Sequence, residues 1–315
     1  MKQKLISIII PCYNEALNIS TYFNAMQEMF SQIPNDQVEY HHEYIFIDDG
    51  SKDNTLKEID QLQSIDPTEV HYISFARNFG KEAAFLAGLE AAKGDYVAVM
   101  DVDLQDPPEM LPEMLNGINE EGYDVVGCRR VDRSGEPPIR SFFAQAFYKF
   151  INRISSTKIV EGARDYRLMT RQVVDAILQM PEYNRFSKGI FSWVGFKTKY
   201  LPYQNVTRNA GETHFTFSKL LRYSLDGIVD FSDLPLSLAS FVGLLTFALS
   251  IVAMIFVIVR RLMFGDRVSG WASLVTIILF IGGLQLFCLG IVGKYIGRIY
   301  LETKRRPVYI IKKKK

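Results

Sequence analysis

Residues 96–108 read Tyr-Val-Ala-Val-Met-Asp-Val-Asp-Leu-Gln-Asp-Pro-Pro, and they largely decide how the rest of the chain is interpreted. The first five form a short apolar run typical of a buried strand. Asp101 and Asp103 follow directly, so both carboxylates can reach one sheet edge if the strand ends between them. Hard oxygen ligands at this spacing suit Mg²⁺ or Mn²⁺, which usually completes its coordination with substrate phosphates. The following Pro-Pro-Glu also suits a helix start, and both interpretations can hold together.

The chain up to about residue 230 alternates short apolar runs with helix-like segments. The runs are rich in β-branched or aromatic residues. The predicted strands are 5–10, 44–47, 70–75, 96–100 and 125–128, and the predicted helices lie around 15–30, 54–64, 81–92 and 108–120. Strand–helix alternation with continuously apolar strands favours an α/β fold, with a mostly parallel sheet covered on both faces.

Polar clusters follow four of the predicted strands. They are residues 11–15, 48–53, 101–108 and 127–130, three of them acidic and the last basic. Ligands of such sheets bind beyond the carboxyl ends of the strands, so these clusters should converge on one edge. The chain has no GxGxxG after its first strand and no GxxxxGK[S/T], which argues against a dinucleotide oxidoreductase and a P-loop NTPase. The remaining pattern suggests a nucleotide-sugar diphosphate held through a metal ion.

Composition excludes several further classes. The 315 residues include 36 Lys plus Arg and 35 Asp plus Glu, so we expect no nucleic-acid partner. The three cysteines, Cys12, Cys128 and Cys288, are too few and too scattered for a disulfide framework or a structural zinc site. The apolar run at 5–10 is short and ends at Pro11, so we expect a cytoplasmic start and no signal peptide.

Two long uncharged segments follow the α/β region. Residues 234–259 and 268–293 each contain 26 residues without a charge. A helix of that length rises about 39 Å, enough to cross a hydrocarbon core of about 30 Å. Buried core helices are the alternative, but these rarely run so long without a charge. The residues after 293 carry more positive charge than the linker between the segments, so both ends of this hairpin should face the cytoplasm.

We therefore divide the chain into four parts. Residues 1–215 form a predicted cytoplasmic catalytic domain, and 216–233 an amphipathic helix. Residues 234–296 contain two transmembrane helices at about 235–259 and 269–293, and 297–315 form a basic cytoplasmic tail. The amphipathic segment suits a helix in the membrane interface, but a helix packed on the soluble domain fits equally well. The closing lysines either bind anionic lipid or anchor the tail.

At these motifs the sequence resembles a family 2 glycosyltransferase of the GT-A fold. More narrowly, it is similar to the polyprenyl-phosphate group, which contains bactoprenol glucosyltransferases and dolichol-phosphate mannose synthase. The matching segments occur in the family's order over residues 7 to about 172, and the amphipathic segment and paired spans extend the likeness to nearly the whole chain. The segments are SIIIPCYNE, IDDGSKDNT, RNFGKEAAFLAGL, MDVDLQDPPE and GARDYRLMTR.

The resemblance implies a role for each matching residue. Asp101, Asp103 and Gln105 correspond to the metal-binding DxDxQ, and Asp165 to the proposed catalytic carboxylate. A salt bridge from Asp165 to Arg164 or Arg167 is the alternative for that residue. The nucleotide-binding positions would be Pro11, Tyr13, Glu15, Asp48, Asp49, Lys81 and Asp101. The arginines that contact the acceptor phosphate would be Arg129 and Arg140.

The implied reaction is inverting transfer of a sugar from a UDP-sugar to undecaprenyl or another polyprenyl phosphate, with Mg²⁺ or Mn²⁺. The sugar is open: glucose and N-acetylglucosamine come first, then galactose or mannose. Expected partners are membrane lipid, a second copy of the chain, a flippase and a downstream glycosyltransferase of the cell envelope. One departure from the family is His214, where many relatives carry Lys, and this is either a neutral surface change or a change in substrate preference.

Three rivals remain. A processive polysaccharide synthase of the same fold would carry QxxRW, which the chain lacks. A non-catalytic membrane scaffold that binds nucleotide would not need the intact DxD and Asp165. A third is an enzyme acting on a protein or on diacylglycerol.

Overall fold

The computed structural model describes residues 2–33, 38–131, 152–153, 160, 162–180, 182–203, 234–264 and 270–315. Three features of the sequence analysis lie outside these residues: Arg140, His214 and the amphipathic segment 216–233.

The described strands form one mixed sheet. In spatial order it reads β7-β5-β6-β4-β1-β2-β3-β8. The strands β1 to β4 are parallel to one another, and β5 is parallel to β7. Two strands run the other way: β6 is antiparallel to both of its neighbours, β4 and β5, and β8 is antiparallel to β3. The predicted α/β fold with a mostly parallel sheet is confirmed. The bounds are β1 Lys2–Cys12, β2 Val38–Asp48, β3 Val70–Phe75, β4 Tyr96–Val99, β5 Val125–Arg130, β6 Ala163–Thr170, β7 Thr198–Tyr203 and β8 Ile311–Lys314.

Helices cover both faces of this sheet because its central strands are apolar on both sides. In β1, Ile8 faces a core shared with the first, second and fourth helices, and Ile9 faces a core shared with the third, fifth and sixth. The third helix packs closely, since a Cβ at Gly88 would lie 2.1 Å from Ile9 Cγ2. The bounds are α1 Ile19–Ser31, α2 Thr55–Ile65, α3 Lys81–Ala91, α4 Leu111–Asn119, α5 Arg171–Leu178 and α6 Ser187–Trp193, with a 3₁₀ turn at Pro108–Met110 before α4.

Two long helices, α7 Leu234–Phe264 and α8 Trp271–Thr303, follow the sheet. They contact each other where Cys288 Sγ lies 3.8 Å from the carbonyl oxygen of Ala239. Within them, Pro235–Ala253 and Phe280–Thr303 are long and apolar enough to cross a membrane. Large apolar side chains such as Phe247 and Phe287 are more than half exposed.

The chain returns to the sheet after α8. Strand β8 pairs with β3, and Tyr72 and Lys315 exchange two backbone hydrogen bonds of 3.0 Å. Just before β8, the ring of Tyr309 stacks on Phe75 with centroids 4.8 Å apart. The closing lysines therefore form an edge strand of the catalytic sheet.

Candidate active site

Lys81 joins two carboxylates at the edge of the sheet. Its Nζ lies 2.7 Å from Asp101 Oδ1, just after β4, and 2.6 Å from Asp165 Oδ2 in β6. Lys81 is the first residue of α3 and follows Gly80, whose φ of +99° lets the chain turn from the β3 loop into the helix. The structure thus brings Lys81 together with Asp101, 20 residues away in the sequence, and with Asp165, 84 residues away.

This contact fixes the charges of the three groups. Burial opposes the charge of Lys81, but the carboxylates of Asp101 and Asp165 outweigh it and raise the pKa of the ammonium. Burial likewise opposes ionisation of Asp165, yet the Lys81 charge prevails and lowers its pKa well below the usual range. Burial raises the pKa of Asp101, and Lys81 only partly offsets that effect. Asp165 is therefore a permanent anion and a weak base at neutral pH.

The DxDxQ segment is held in a bent conformation. Leu104 has φ +54°, a left-handed conformation that costs a non-glycine residue about 1–2 kcal/mol. Asp103 is buried, and its Oδ1 accepts a hydrogen bond from the backbone N–H of Gln105 (3.2 Å). Arg164 donates two hydrogen bonds here: its Nη2 donates to the Gln105 amide oxygen (3.2 Å), and its Nε donates to Asp106 Oδ1 (3.0 Å).

These residues fit a divalent cation by their chemistry. Asp101, Asp103 and Gln105 offer two carboxylates and an amide oxygen, a hard-oxygen set that Mg²⁺ and Mn²⁺ accept. The described residues contain no group of three His, Cys, Asp or Glu that could hold a metal alone. Such an ion would take its remaining ligands from the substrate and water, as Mg²⁺ sites with one or two carboxylates do.

Arg164 and Arg167 flank Asp165, but their guanidinium groups have other partners. Arg164 pairs with Asp106. Arg167 donates to the carbonyl oxygens of Asp165 (3.1 Å) and Arg164 (2.8 Å), and stacks on the ring of Phe191. The flanking salt bridge considered as an alternative role for Asp165 is therefore wrong, since its direct partner is Lys81.

Asp48 and Asp49 hold the loops that follow β2 and β3. Asp48 accepts hydrogen bonds from the Ser51 backbone and the Ser74 hydroxyl, and Asp49 accepts from the backbone N–H groups of Phe79 (2.6 Å) and Gly80 (2.9 Å). Burial raises the pKa of Asp49, although these two N–H groups oppose the effect. Both residues are nearly fully buried, and Asp49 fixes the loop that leads into Lys81.

Pro11, Tyr13 and Glu15 lie at the end of β1 and in the loop after it. That loop is tied to the loop after β2, because the backbone N–H of Glu15 donates to Thr55 Oγ1 (2.8 Å) and that of Asn14 to Ser51 Oγ (2.9 Å). Arg129 lies exposed near the end of β5, opposite Ala163 at the start of β6. The sheet therefore carries Arg129 on the strand beside the one that holds Asp165.

The first two residues of α6 also contact the site. Ser187 contacts Glu82, which follows Lys81, and Lys188 acts electrostatically on Asp165. Ser187 and Lys188 belong to no quoted motif and follow no predicted strand, so no signal in the sequence could have identified them.

Comparisons with known proteins identify the family. The profile described as "Glycosyl transferase family 2" matches residues 7–178. The chain belongs to this family. Family 2 glycosyltransferases of this kind carry the GT-A fold, which is the mixed α/β sheet described above.

Two relatives extend the similarity to nearly the whole chain. The "Putative glycosyltransferase CsbB" of Bacillus subtilis (strain 168) is 46% identical over 312 residues, 99% of this chain and 92% of the relative. The "Prophage bactoprenol glucosyl transferase homolog" of Escherichia coli (strain K12) is 43% identical over 310 residues, 98% of this chain and 99% of the relative. The likeness therefore includes the two long helices as well as the family 2 domain.

A solved structure is also similar. It is the glucosyl-3-phosphoglycerate synthase of Mycobacterium tuberculosis in complex with Mn²⁺, UDP and glucosyl-3-phosphoglycerate, at 19% identity and a TM-score of 0.44, covering 72% of this chain and 78% of that one.

Proposed function

We propose that this family 2 glycosyltransferase transfers a sugar, glucose or N-acetylglucosamine first, from a UDP-sugar to a polyprenyl phosphate at the cytoplasmic face of the cell membrane. The observation that carries the proposal is the meeting of Lys81, Asp101 and Asp165 at the carboxyl edge of the sheet. A 43% identical relative is named a bactoprenol glucosyl transferase homolog, which supports the polyprenyl acceptor.

The membrane part supports a lipid acceptor. Two apolar helices would place the catalytic domain beside the headgroups and raise the local concentration of a lipid substrate. The basic residues after α8 favour a cytoplasmic location for both chain ends, where nucleotide sugars are made available. The proposed topology is thus two spans with a cytoplasmic catalytic domain.

The reaction breaks one bond and makes one. An oxygen of the acceptor phosphate attacks the anomeric carbon from the side opposite UDP, and UDP leaves with the bonding electron pair. A phosphate monoester has a second pKa of about 6, so the attacking group is already largely a dianion at pH 7. The enzyme therefore needs no general base, which agrees with the weak basicity of Asp165.

We assign Asp165 an electrostatic role. Held as an anion by Lys81, it would stabilise the positive charge that develops on the sugar ring in the transition state. A divalent cation on Asp101, Asp103 and Gln105 would neutralise the charge that grows on the leaving diphosphate. Asp48, Asp49 and the loop at Pro11, Tyr13 and Glu15 would bind the nucleoside, and Arg129 and Arg140 the acceptor phosphate.

The test is a transfer assay with full-length protein in detergent. Polyprenyl phosphate, Mn²⁺ or Mg²⁺ and one radiolabelled UDP-sugar at a time are incubated, and the label in the lipid phase is counted. We expect label from one sugar, abolished by EDTA and by Asp103→Ala. Glu28→Ala, on the exposed surface of α1, is the matched control and should transfer normally.

Other outcomes would point to the rivals. A labelled polymer would indicate a processive synthase, and label in diacylglycerol or protein another acceptor. UDP binding without turnover of any donor would indicate a scaffold. Each of these results would overturn the proposal.

A further inference from the structure

Helix α6 is fastened to the active site at its first residue. The backbone N–H of Ser187 donates to Glu82 Oε2 at 2.9 Å, and the Ser187 hydroxyl donates to the same oxygen. Glu82 follows Lys81 in the first turn of α3, so this contact ties the start of α6 to the lysine that bridges the two carboxylates.

A second contact fastens α6 one turn later. The guanidinium carbon of Arg167 lies 3.8 Å from the ring centroid of Phe191, and Arg167 Nε donates to the carbonyl oxygen of Asp165. Arg167 is only 3% exposed. Because one contact reaches the neighbour of Lys81 and the other the backbone of Asp165, the first turn of α6 must lie beside this pair.

Lys188 lies in that first turn, between the two contacts. It acts electrostatically on Asp165. Among the residues that the structure describes, however, no carboxylate oxygen lies within 4.0 Å of the Lys188 ammonium nitrogen, so Lys188 forms no ion pair there. Lys81 and Arg164, by contrast, are each paired with carboxylates.

Lys188 is also positioned for a ligand. Its side chain is partly buried, while its neighbours Ser187 and Gly189 are buried. Its ammonium has three donors and a compact charge, the chemistry that binds phosphate as a point charge. A ligand phosphate beside Asp165 would need such a cation, since the Lys81 charge is shared by two carboxylates.

We propose that Lys188 binds the phosphate of the acceptor beside Asp165, as an acceptor-specific residue of the transfer reaction. This inference rests on the proposed function, because it assumes a lipid phosphate as the attacking group. Lys188 holds the phosphate through its charge and exchanges no proton with it. It would act together with Arg129 on the neighbouring side of the site.

The test compares Lys188→Met and Lys188→Arg with wild type. Transfer is measured over a range of polyprenyl phosphate concentrations at saturating UDP-sugar, together with UDP binding and the slow hydrolysis of UDP-sugar without acceptor. We expect Lys188→Met to lower kcat/KM for the acceptor about ten- to hundredfold, the loss of one charged hydrogen bond. UDP binding and hydrolysis should stay within about threefold, and Lys188→Arg should restore most of the transfer.

Lys57→Met, on the exposed face of α2, is the matched control and should transfer like wild type. If Lys188→Met transfers normally, or loses UDP binding and hydrolysis together with transfer, acceptor recognition by Lys188 is wrong. If wild type itself transfers no sugar to polyprenyl phosphate while it hydrolyses UDP-sugar, the proposed acceptor is wrong, and the inference falls with it.

Discussion

Lys81 is the residue on which the charge balance of the site depends. One ammonium separates Asp101 from Asp165, two partly buried carboxylates that repel each other when both are ionised. Lys81 therefore sets the pH range over which Asp165 stays ionised, in addition to holding the two carboxylates in place.

We predict that Lys81→Met will lower transfer about hundredfold or more, because the site loses the cation that balances two carboxylates. The pKa of Asp165 lies well below its usual range only while Lys81 is charged beside it. Without that charge the pKa rises, so the acid limb of the pH–rate profile should move to higher pH. Lys93→Met, an exposed change after α3, is the control. An acid limb that stays in place would contradict this account of Asp165.

Gly50 decides how closely two loops of the site approach. It has φ +66°, and a Cβ there would lie 2.4 Å from the carbonyl carbon of Arg77. The loop that contains Arg77 leads to Phe79 and Gly80, whose backbone N–H groups donate to Asp49 and which directly precede Lys81. A side chain at position 50 must therefore displace the backbone that positions Lys81.

We predict that Gly50→Ala weakens UDP binding at least about tenfold and lowers the melting temperature. Gly122→Ala provides a matched control, since Gly122 has the same φ of +66° but no heavy atom within 4 Å of its added Cβ. It should cost only the left-handed conformation, about 1 kcal/mol. Calorimetric titration with UDP and thermal unfolding of both variants separate the two effects. Equal losses in both would rule out the loop contact as the cause.

At the scale of secondary structure, the sequence predicted the elements that carry their own signal. The five apolar strands and the helices between them were found, because parallel strands buried on both faces are continuously apolar. Strand β6 was missed, since Ala163–Thr170 contains three charged residues. Its Arg167 is tolerated in the interior only because two carbonyl oxygens and the Phe191 ring satisfy it, and these are tertiary contacts.

The candidate site was predictable to a similar degree. A motif after a predicted strand placed Asp101 and Asp103 at the sheet edge, and the family resemblance added Asp165, but the partner of each carboxylate was not foreseeable. Asp165 was weighed against its neighbours in sequence, whereas its partner Lys81 lies 84 residues away. Asp48 and Asp49 were expected to face ligand, and the structure adds that their oxygens hold neighbouring loops. Local sequence cannot reveal which of two nearby cations a carboxylate selects.

Helix α6 holds the start of α3 in place through Ser187, its first residue, and this contact yields a prediction. Ser187→Ala removes the hydroxyl bond to Glu82 but keeps the backbone bond. Losing one such bond to a charged group typically costs about 1.5–3 kcal/mol. We expect kcat to fall several-fold, since α3 and Lys81 are held less firmly, with little change in UDP binding. Ser192→Ala, whose hydroxyl donates to the carbonyl oxygen of Lys188 in the same helix, should have a smaller effect. A larger loss of kcat in Ser192→Ala than in Ser187→Ala would contradict a role of Ser187 in holding α3.

At the scale of the whole molecule, the chain connects α8 to the catalytic sheet twice. Glu302 near the end of α8 accepts hydrogen bonds from the backbone N–H groups of Tyr183 and Asn184, just before α6. Eight residues beyond α8, β8 then joins the far edge of the sheet at β3. The last apolar helix is thus linked to the segment beside the active site and to the strand whose loop carries Lys81.

The pairing of β8 with β3 depends on charge, because β8 is an edge strand that consists mostly of lysines. Lys313 and Lys315 lie 3.2 Å and 2.7 Å from Asp60 Oδ1, and Tyr72 also donates to this oxygen at 2.8 Å. Together the bond from Lys315 and the bond from Tyr72 lower the pKa of Asp60 to about 2. Since its pKa in an unfolded chain is about 3.9, the folded state binds fewer protons, and docking of β8 is favoured above that pH.

We therefore predict that β8 docking is constant between about pH 7 and pH 5 and is lost progressively as the pH falls from about 4 towards 2. Hydrogen–deuterium exchange of the amides of residues 310–315, corrected for the intrinsic pH dependence of exchange, measures it directly. Asp60→Asn should leave these amides poorly protected at every pH, whereas Glu58→Gln in the same helix should behave like wild type. If Asp60→Asn kept full protection at pH 7, backbone pairing with β3 and the Tyr309 stack alone would hold the strand, and the ion pairs would contribute nothing measurable.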